Sequence, residues 1–326
     1  MIIVRTPLRI SFLGGGTDFE DFYSNHGGAV LSTAIDKFVF IIVRKRYDDM
    51  VYVNYSKKEV VDSVDKLQHE LVREVMRVSH IKKGLEITTL ADVPSEGTGL
   101  GSSSAVTVGL LQALYAYQGQ TVPAEILVEQ ACQIEIDILG KPIGKQDQYI
   151  AVYGNMQFIT FGNNGIVIEK VKLSPENKKR LNDNLLLFYT GVTRKSSDIL
   201  LEQKVNIDQQ VDILSDIKRL AFKAKEAIIE GDLDEFGEIM HQGWQLKKRL
   251  ASKVSNSKID AIYQVAREAG AIGGKITGAG GGGFLLLYCY NRKQDEVRRA
   301  LKGLRELPFR FQPDGSRVFL NFWGAE

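Results

Sequence analysis

Glycine is concentrated in three short stretches of this 326-residue chain, and no other feature limits its fold as strongly. The stretches are 14–16, 97–101 and 278–283. Because glycine has no side chain, it adopts backbone angles that other residues avoid and lets another backbone or a ligand come close. Glycine is also unfavourable inside helices and strands. The pattern therefore predicts three loops that line a cleft.

The middle stretch predicts a phosphate-binding loop. It follows a strand and Pro94, and it runs directly into a helix expected to begin near Ser102. The free amides at a helix N-terminus point toward an anion, and the hydroxyls of Ser102, Ser103 and Ser104 suit phosphate oxygens or a hydrated magnesium ion. No lysine precedes the serines, so this is not a Walker A loop. A serine-capped helix after a flexible loop is the alternative interpretation.

The last stretch matches the letters of the dinucleotide-binding fingerprint at Gly278, Gly280 and Gly283. The expected order of elements here is a helix, then the glycines, then a strand. A Rossmann turn requires a strand before the glycines and a helix after them. A glycine loop along the wall of the cleft fits better, with Lys275 and Thr277 as polar contacts.

Asp147 is the main candidate for chemistry. It lies close to Lys145 in the stretch 144–148, which we expect to be a loop after a helix. A carboxylate there could accept or orient the proton of a hydroxyl group. Glu135, one element upstream, could reach the same cleft as a magnesium ligand, because hard cations prefer carboxylate oxygens. A helix-capping aspartate and a solvated glutamate are the alternative interpretations.

Composition argues against several classes of protein. A net charge of +2 offers no broad basic surface for nucleic acid or an anionic membrane, so any phosphate would be bound locally. The N-terminus lacks a signal-peptide pattern, and no apolar run approaches the ~20 residues of a membrane span. Cys132 and Cys289 are isolated among apolar or aromatic neighbours, which predicts buried thiols in a reducing compartment. We expect a cytoplasmic protein.

The order of strand and helix patterns lacks regular alternation, which predicts the α+β class. The length suits two domains, expected at 1–180 and 181–326 with a boundary in the polar stretch 174–184. The predicted strands are 2–12, 29–46, 85–90, 185–189, 284–290 and 317–322, with a hairpin at 155–172. The predicted helices are 65–79, 102–117, 124–139, 207–230, 233–250, 257–269 and 294–305.

Taken together, the three stretches resemble the motifs of the GHMP small-molecule kinases, named for galactokinase, homoserine kinase, mevalonate kinase and phosphomevalonate kinase. The motifs follow the family's order, and the resemblance covers nearly the whole chain. Residues 9–19 resemble the first motif of the sugar-kinase branch. Residues 94–105 resemble the phosphate loop, with one extra residue before Gly99, and 275–284 resemble the glycine loop that supports it. The resemblance implies an N-terminal domain like ribosomal protein S5 and a ferredoxin-like C-terminal domain.

The resemblance also implies ATP and magnesium as cofactors and assigns roles to single residues. Asp147 would be the catalytic carboxylate, and Arg9 would lie against it and against the transferring phosphate. Ser103 and Glu135 would hold magnesium, with Ser104 as a rival to Ser103. The ATP-binding set would be Gly97, Gly99, Leu100, Gly101, Ser102, Ser103, Ser104, Gly280 and Gly281. The substrate-binding set would be Gly15, Gly16, Thr17, Asp18, Lys145 and Arg194.

One departure from galactokinase indicates the acceptor. Galactokinase has Glu-His where this chain has Gly15 and Gly16, and that glutamate faces the 6-hydroxyl end of the hexose. The glycines open volume there and remove a negative charge. The motif resembles that of the D-glycero-D-manno-heptose 7-phosphate kinases, which phosphorylate the anomeric hydroxyl. Arg194 and Lys145 would then clamp the 7-phosphate. The alternative is that the glycines only make a turn.

Other functions stay open at this stage. The chain could be an anomeric kinase for an unphosphorylated sugar of the L-fucose or galactose type. A decarboxylase of the mevalonate diphosphate type shares the scaffold, but the sugar-type first motif argues against it. A non-catalytic sensor of ATP and sugar would tend to lose the catalytic set, which is present here. The expected partner is a small sugar or sugar phosphate, with no nucleic acid or membrane, and the protein could be a monomer or a homodimer.

Overall fold

The computed structural model describes residues 1–94, 97–192 and 196–322, and within these ranges the strands form one sheet of eight and one of four. The larger sheet contains β1 (Ile2–Leu13), β2 (Gly28–Lys45), β3 (Val51–Asn54), β4 (Lys58–Val61), β5 (Leu85–Ala91), β6 (Met156–Gly162), β7 (Gly165–Lys170) and β12 (Arg317–Asn321). The smaller sheet contains β8 (Leu185–Tyr189), β9 (Ala271–Ile276), β10 (Phe284–Cys289) and β11 (Arg305–Glu306).

The helices pack around these sheets and confirm the α+β class. In chain order they are α1 (Glu20–His26), α2 (Glu70–Val78), α3 (Ser102–Tyr117), α4 (Ala124–Cys132), α5 (Gln146–Tyr153), α6 (Pro175–Asp183), α7 (Ser196–Val205), α8 (Val211–Glu230), α9 (Leu233–Lys247), α10 (Ser257–Glu268) and α11 (Gln294–Ala300). Short 3-10 turns lie at Val64–Lys66, Ile207–Gln209 and Asn291–Lys293, and a π-helical segment lies at Gln133–Ile138.

The antiparallel pair of β1 and β2 organises the larger sheet. β2 is long enough to pair with β5 along residues 39–45 and with β6 along residues 28–33. Its β-branched and aromatic residues favour a strand, and Val39, Ile41 and Val43 alternate inward while their neighbours are less buried. In this register Arg9 of β1 lies opposite Ala34, well inside the sheet.

Helix α3 packs across β1 with its N-terminus at the cleft. It is apolar on most of its faces and largely buried, as expected for a helix in a core. Gly109 permits a close approach to β1, because a Cβ atom there would lie 2.7 Å from Thr6 Oγ1. The residue before the helix, Gly101, has a left-handed φ of 76°, which glycine adopts without strain. The chain can therefore turn sharply from the loop into the helix.

The two sheets share a core through α9. The Phe236 ring lies 5.4 Å from that of Phe12 on β1 and 6.0 Å from that of Tyr288 on β10, both edge to face. The chain also returns to the larger sheet at its end, because β12 pairs with β1.

The polar stretch around 174–184 forms α6, capped by Ser174. A domain boundary at 180/181 stays a prediction, and residues 317–321 belong to the first sheet rather than the second.

The structure corrects three local predictions. Asp147 lies in the first turn of α5 and not in a loop. The helix expected at 124–139 is α-helical to Cys132 and π-helical from Gln133. Strand β9, and not a helix, directly precedes the last glycine stretch, which still differs from the Rossmann order because a strand follows as well. Short elements such as α1, α5, β3, β4 and β9 carry too few periodic positions to be predicted.

Cys132 and Cys289 are buried free thiols, which confirms the predicted burial of both side chains. Within the described part of the chain, none of the helices combines the length and the apolar character needed to cross a membrane.

Phe236→Ala is expected to lower the free energy of unfolding by about 3–5 kcal/mol, because the cavity would lie in the core that both sheets share. Chemical denaturation followed by circular dichroism measures this. Phe319→Ala is the matched control, since Phe319 is 61% exposed on β12, and it should change stability by about 0.5 kcal/mol or less. Similar losses in both variants would show that Phe236 does not join the two sheets.

Candidate active site

The middle glycine stretch is held between β1 and the last glycine stretch. The amide of Arg9 donates to the carbonyl of Leu100 at 2.9 Å. On the other side, a Cβ atom on Gly99 would lie 2.3 Å from the Thr277 carbonyl oxygen, and one on Gly278 would lie 2.5 Å from the Gly99 Cα. The two loops therefore touch through their backbones, and any side chain at these positions would force them apart.

The last stretch supports the middle one more than it lines the cleft. Thr277 Oγ1 donates to the Thr98 carbonyl at 3.0 Å, and Lys275 Nζ donates to the Phe12 carbonyl at 3.1 Å from a fully buried position. The amide of Gly281 donates to the Val254 carbonyl at 2.6 Å. Lys275, Thr277 and Gly281 thus have protein partners that hold the loop in place.

The N-terminus of α3 lies beside Arg9 and Asp147, because a Cβ atom on Gly101 would be 3.0 Å from Arg9 Cγ and 3.3 Å from Asp147 Oδ2. Ser102 and Ser104 are buried, and the Ser102 hydroxyl has no hydrogen-bond partner among the described residues. A buried hydroxyl without a partner is costly unless a ligand or water satisfies it. Together with the amides of the first helical turn, this geometry suits an anion such as a phosphate group.

Arg9 and Asp147 form a bidentate ion pair at the centre of the cleft. Arg9 Nε donates to Asp147 Oδ1 at 2.6 Å and Nη2 donates to Oδ2 at 2.7 Å. The third donor, Nη1, binds the Gly99 carbonyl at 2.5 Å. The Arg9 side chain is 7% exposed and that of Asp147 is 23% exposed. One guanidinium group therefore fixes the Asp147 carboxylate relative to the loop at residues 97–101. The carboxylate stays accessible from the cleft.

Asp18 is the second buried carboxylate of the cleft. It accepts hydrogen bonds from the Gly16 amide at 3.0 Å and from the Gln146 amide and Nε2 at 3.2 and 2.9 Å. Burial raises the pKa of Asp18, and the nearby charge of Asp147 adds to this effect. Gly144 makes room for the carboxylate, because a Cβ atom there would lie 2.1 Å from Asp18 Oδ2.

The first glycine stretch forms one wall of the same pocket. Gly15 and Gly16 line it, and Gly15 faces the Nε2 atom of Gln146 and the Nζ atom of Lys247. Thr17 has a different place, since its hydroxyl is buried and donates to the carbonyls of Gly14 and Ala29 at 2.8 and 3.1 Å. Thr17 therefore holds the turn and does not line the pocket.

The pocket brings together Arg9, Gly15, Gly16, Asp18 and Asp147, which the sequence analysis singled out. It is also lined by residues that the sequence analysis missed, namely Ser11, Gln146, Gln203 and Lys247. Glutamines and lysines on amphipathic helices usually face solvent, so nothing in their spacing marked them. Proximity to Asp147 was the only available signal for Gln146.

Glu135 and Ser103 meet beside the α3 N-terminus. Ser103 Oγ donates to Glu135 Oε1, and Gln148 Nε2 donates to Oε2 at 2.8 Å. Glu135 is fully buried, and this burial raises its pKa, although Lys141, with Nζ 3.8 Å from Oε1, opposes the rise. Among the described residues no group of three or more histidine, cysteine or acidic side chains is arranged so that it could hold a metal ion. A carboxylate with a hydroxyl suits magnesium, which usually takes few protein ligands together with phosphate oxygens and water.

Of the two residues predicted to clamp the phosphate, Lys145 is bound by groups that do not line the pocket. Lys145 Nζ donates to Glu20 at 2.9 Å and to the Tyr23 hydroxyl at 2.7 Å. Burial alone would lower the pKa of Lys145, but these two partners raise it above its usual value. Lys145 thus points away from the pocket. Arg194 lies outside the described residues.

Comparison with known proteins places this geometry in a family context. The family models described as GHMP kinases N terminal domain and GHMP kinases C terminal match residues 59–155 and 224–305. The chain is 30% identical to the D-glycero-alpha-D-manno-heptose 7-phosphate kinase of Campylobacter jejuni, over 92% of this chain and 93% of that protein. It is 28% identical to a bifunctional fucokinase/GDP-fucose pyrophosphorylase of Arabidopsis thaliana, over 92% of this chain and 31% of that protein.

Solved structures show the same fold. A D-glycero-D-manno-heptose 1-phosphate kinase from Bacteroides thetaiotaomicron superimposes with a TM-score of 0.83 at 25% identity, covering 99% of this chain and 100% of that one. A galactokinase from Lactococcus lactis in complex with galactose superimposes with a TM-score of 0.75 at 19% identity, covering 97% and 94%. At 19% identity the similarity to the galactokinase concerns the fold alone.

Gly144→Ala is expected to lower the free energy of unfolding by about 1–3 kcal/mol. The added methyl group would displace the Asp18 carboxylate and leave buried polar groups without partners. Gly303→Ala is the matched control, because open space surrounds that position. Both values come from chemical denaturation. A loss no larger than that of the control would contradict the close packing of Asp18 on Gly144.

Proposed function

The chain belongs to the GHMP kinases, and on that premise we propose that it phosphorylates the anomeric hydroxyl of D-glycero-D-manno-heptose 7-phosphate to give the 1,7-bisphosphate. Its relatives identify it as a sugar kinase, a phosphotransferase, and ATP is the phosphate donor of this family. The observation that carries the proposal is the Arg9–Asp147 pair, placed between the loop at residues 97–101 and a pocket that Gly15 lines without a side chain.

In this proposal the middle glycine stretch, residues 97–101, and the N-terminus of α3 bind the phosphates of ATP. The loop from Gly97 to Gly101 supplies backbone amides without side chains in the way, and the helix dipole favours negative charge at Ser102. The Ser102 hydroxyl, which has no hydrogen-bond partner within the described ranges, supplies a further donor. Gly280 and Gly281 act indirectly, because they pack on Val254 and support the loop.

Ser103 and Glu135 would hold a magnesium ion. Bound there, the ion would neutralise charge on the phosphate oxygens. Ser104 is buried in the same turn, and its hydroxyl opposes part of the burial-driven rise in the pKa of Glu135. Lys141, which lies 3.4 Å from Ser103 Oγ, adds positive charge beside this site.

Asp147 acts on the acceptor hydroxyl. Its carboxylate accepts or orients the hydroxyl proton while the oxygen attacks the terminal phosphate. Arg9 orients this carboxylate through two hydrogen bonds, and its position next to the loop stabilises negative charge on the transferred group. Phosphoryl transfer depends mainly on positioning and charge neutralisation, and these residues supply both. Asp18, ordered by Gln146, binds sugar hydroxyls.

The Gly15 side of the pocket supports the choice of acceptor. The three atoms nearest to a Cβ atom on Gly15 would be Gln146 Nε2, Lys247 Nζ and Ser11 Oγ, and all three can donate hydrogen bonds. A heptose 7-phosphate is longer than a hexose and carries a dianion at its far end, so it needs both room and donors there. The relative from Campylobacter jejuni, a heptose 7-phosphate kinase by name, points to the same acceptor.

A kinase for an unphosphorylated sugar is the second candidate. The chain is also related to fucokinase-containing proteins and, at 26% identity over 95% of its length, to a galactokinase of Pyrococcus furiosus. L-Fucose lacks a 6-hydroxyl, so it too would need no glutamate at position 15. A non-catalytic sensor is less favoured, because Arg9 and Asp147 are in contact and Ser103 meets Glu135.

A coupled ADP-release assay with a panel of sugars tests the proposal. The panel contains heptose 7-phosphate, the same heptose without phosphate, L-fucose and galactose. We expect kcat/KM to be highest for heptose 7-phosphate. A higher kcat/KM for fucose or galactose would replace the heptose assignment by the second candidate. No ADP release with any member, above the rate without sugar, would favour the sensor.

Asp147→Asn is expected to lower kcat by roughly 100-fold or more, because the amide keeps the shape of the side chain but removes the proton acceptor and its charge. ATP affinity and thermal stability should change little. Asp137→Asn, an exposed position on the π-helical segment, is the control and should retain full turnover. If Asp147→Asn keeps more than about a tenth of the original kcat, which corresponds to a loss of only ~1.4 kcal/mol, Asp147 is not the catalytic carboxylate.

Glu135→Gln is expected to raise the magnesium concentration that gives half the maximal rate. A neutral amide oxygen is a weaker ligand for a hard dication than a carboxylate. Magnesium is titrated at saturating ATP, with the exposed Glu129→Gln on α4 as the matched control. An unchanged midpoint in Glu135→Gln would remove Glu135 from the metal site.

A further inference from the structure

The ammonium group of Lys247 lies on the wall of the acceptor pocket, where no cation was expected from the sequence. Lys247 is the last residue of α9, and its side chain reaches the pocket from the C-terminal half of the chain. The residue is only 7% exposed, and Nζ donates to the Gly278 carbonyl at 2.5 Å. Burying a cation is costly, so its position at a binding pocket calls for a functional explanation.

Three donors lie around the position that a side chain on Gly15 would occupy. A Cβ atom on Gly15 would lie 3.5 Å from Gln146 Nε2, 3.7 Å from Lys247 Nζ and 3.8 Å from Ser11 Oγ. The Ser11 hydroxyl is buried and has no hydrogen-bond partner within the described part of the chain. An ammonium, an amide NH2 and a hydroxyl can all donate to the oxygens of one phosphate group.

Of the three groups nearest to the Cβ position of Gly15, Lys247 carries the charge. Lys275 is fully buried nearby, and its pKa falls well below the usual range, first because of burial and then because of the charges of Lys247 and Arg9. Lys247 and Arg9 therefore carry their charges close to this buried lysine. The two carboxylates of the pocket are bound by other groups, Asp147 by Arg9 and Asp18 by Gly16 and Gln146.

We propose that Lys247, with Ser11 and Gln146, binds the phosphate that the acceptor sugar already carries. This inference rests on the proposed function and deepens it, because it assigns the discrimination between a phosphorylated and a neutral sugar to one lysine. It also replaces Lys145 in that role, since Lys145 is turned toward Glu20 and Tyr23. Gly15 is part of the same phosphate-binding site, because a side chain at this position would occupy the place of the phosphate.

Lys247→Met tests the inference, with Lys248→Met as the matched control. Lys248 is the next residue along the chain, but its Nζ lies 3.3 Å from Asp260 Oδ1 and it does not line the pocket. The quantity measured is the ratio of kcat/KM for heptose 7-phosphate to kcat/KM for the unphosphorylated heptose. We expect Lys247→Met to lower this ratio roughly 10- to 100-fold, mainly through KM, since a charge-assisted contact is lost. Lys248→Met should leave the ratio unchanged.

The possible outcomes separate this inference from the proposed function. If the unaltered protein prefers heptose 7-phosphate but Lys247→Met lowers kcat/KM for both sugars equally, the inference is wrong and the proposed function stands. If the unaltered protein prefers the neutral sugar, the proposed function fails, and this inference fails with it. Thermal unfolding of each variant is measured first. Should Lys247→Met not fold, Lys247→Gln, which removes the charge but keeps a donor, takes its place in the same comparison.

Discussion

The bidentate ion pair between Arg9 and Asp147 is the contact on which the rest of the site depends. Its guanidinium group joins three parts of the chain, because it belongs to β1, binds the first turn of α5 and donates to the carbonyl of Gly99. A mostly buried ion pair is weak evidence for stability, since desolvation offsets much of the attraction. The contribution of this ion pair is to orient the Asp147 carboxylate. The planar fork of an arginine matches both carboxylate oxygens, which a lysine cannot do, and so the carboxylate and the glycine loop keep one fixed geometry.

Close backbone contact between the glycine loops adds a second constraint. Gly99 and Gly278 meet where neither could carry a side chain, and this contact joins the N-terminal half of the chain to the C-terminal half. The shared core around Phe236 also joins the two halves, and so does the pairing of β12 with β1 in the larger sheet. As a result, pocket residues from both halves, such as Asp18 and Lys247, are held at fixed positions. The cleft is therefore preorganised for positioning, which is the main requirement of phosphoryl transfer.

The sequence alone predicted the long strands and helices, which depend on periodic patterns, and the loops, which are marked by glycine. Strand β1 and helix α3 lie within one residue of their expected ranges, and the glycine stretches converge as predicted. The directions of single side chains were harder to predict from the sequence, because they depend on tertiary packing. Lys145 was expected at the pocket and points to Glu20 instead, while Lys247 was missed because a lysine on an amphipathic helix usually faces solvent.

The central claim is that the site presents the anomeric hydroxyl of a sugar that already carries a phosphate to the terminal phosphate of ATP. Two-dimensional proton–phosphorus NMR of the product formed from heptose 7-phosphate and ATP tests it most directly. The account predicts two phosphate resonances in the product, of which the new one correlates with the anomeric proton and the other with the protons at position 7. A new phosphate that correlates with any other sugar proton, or the absence of a product from this substrate, would contradict it.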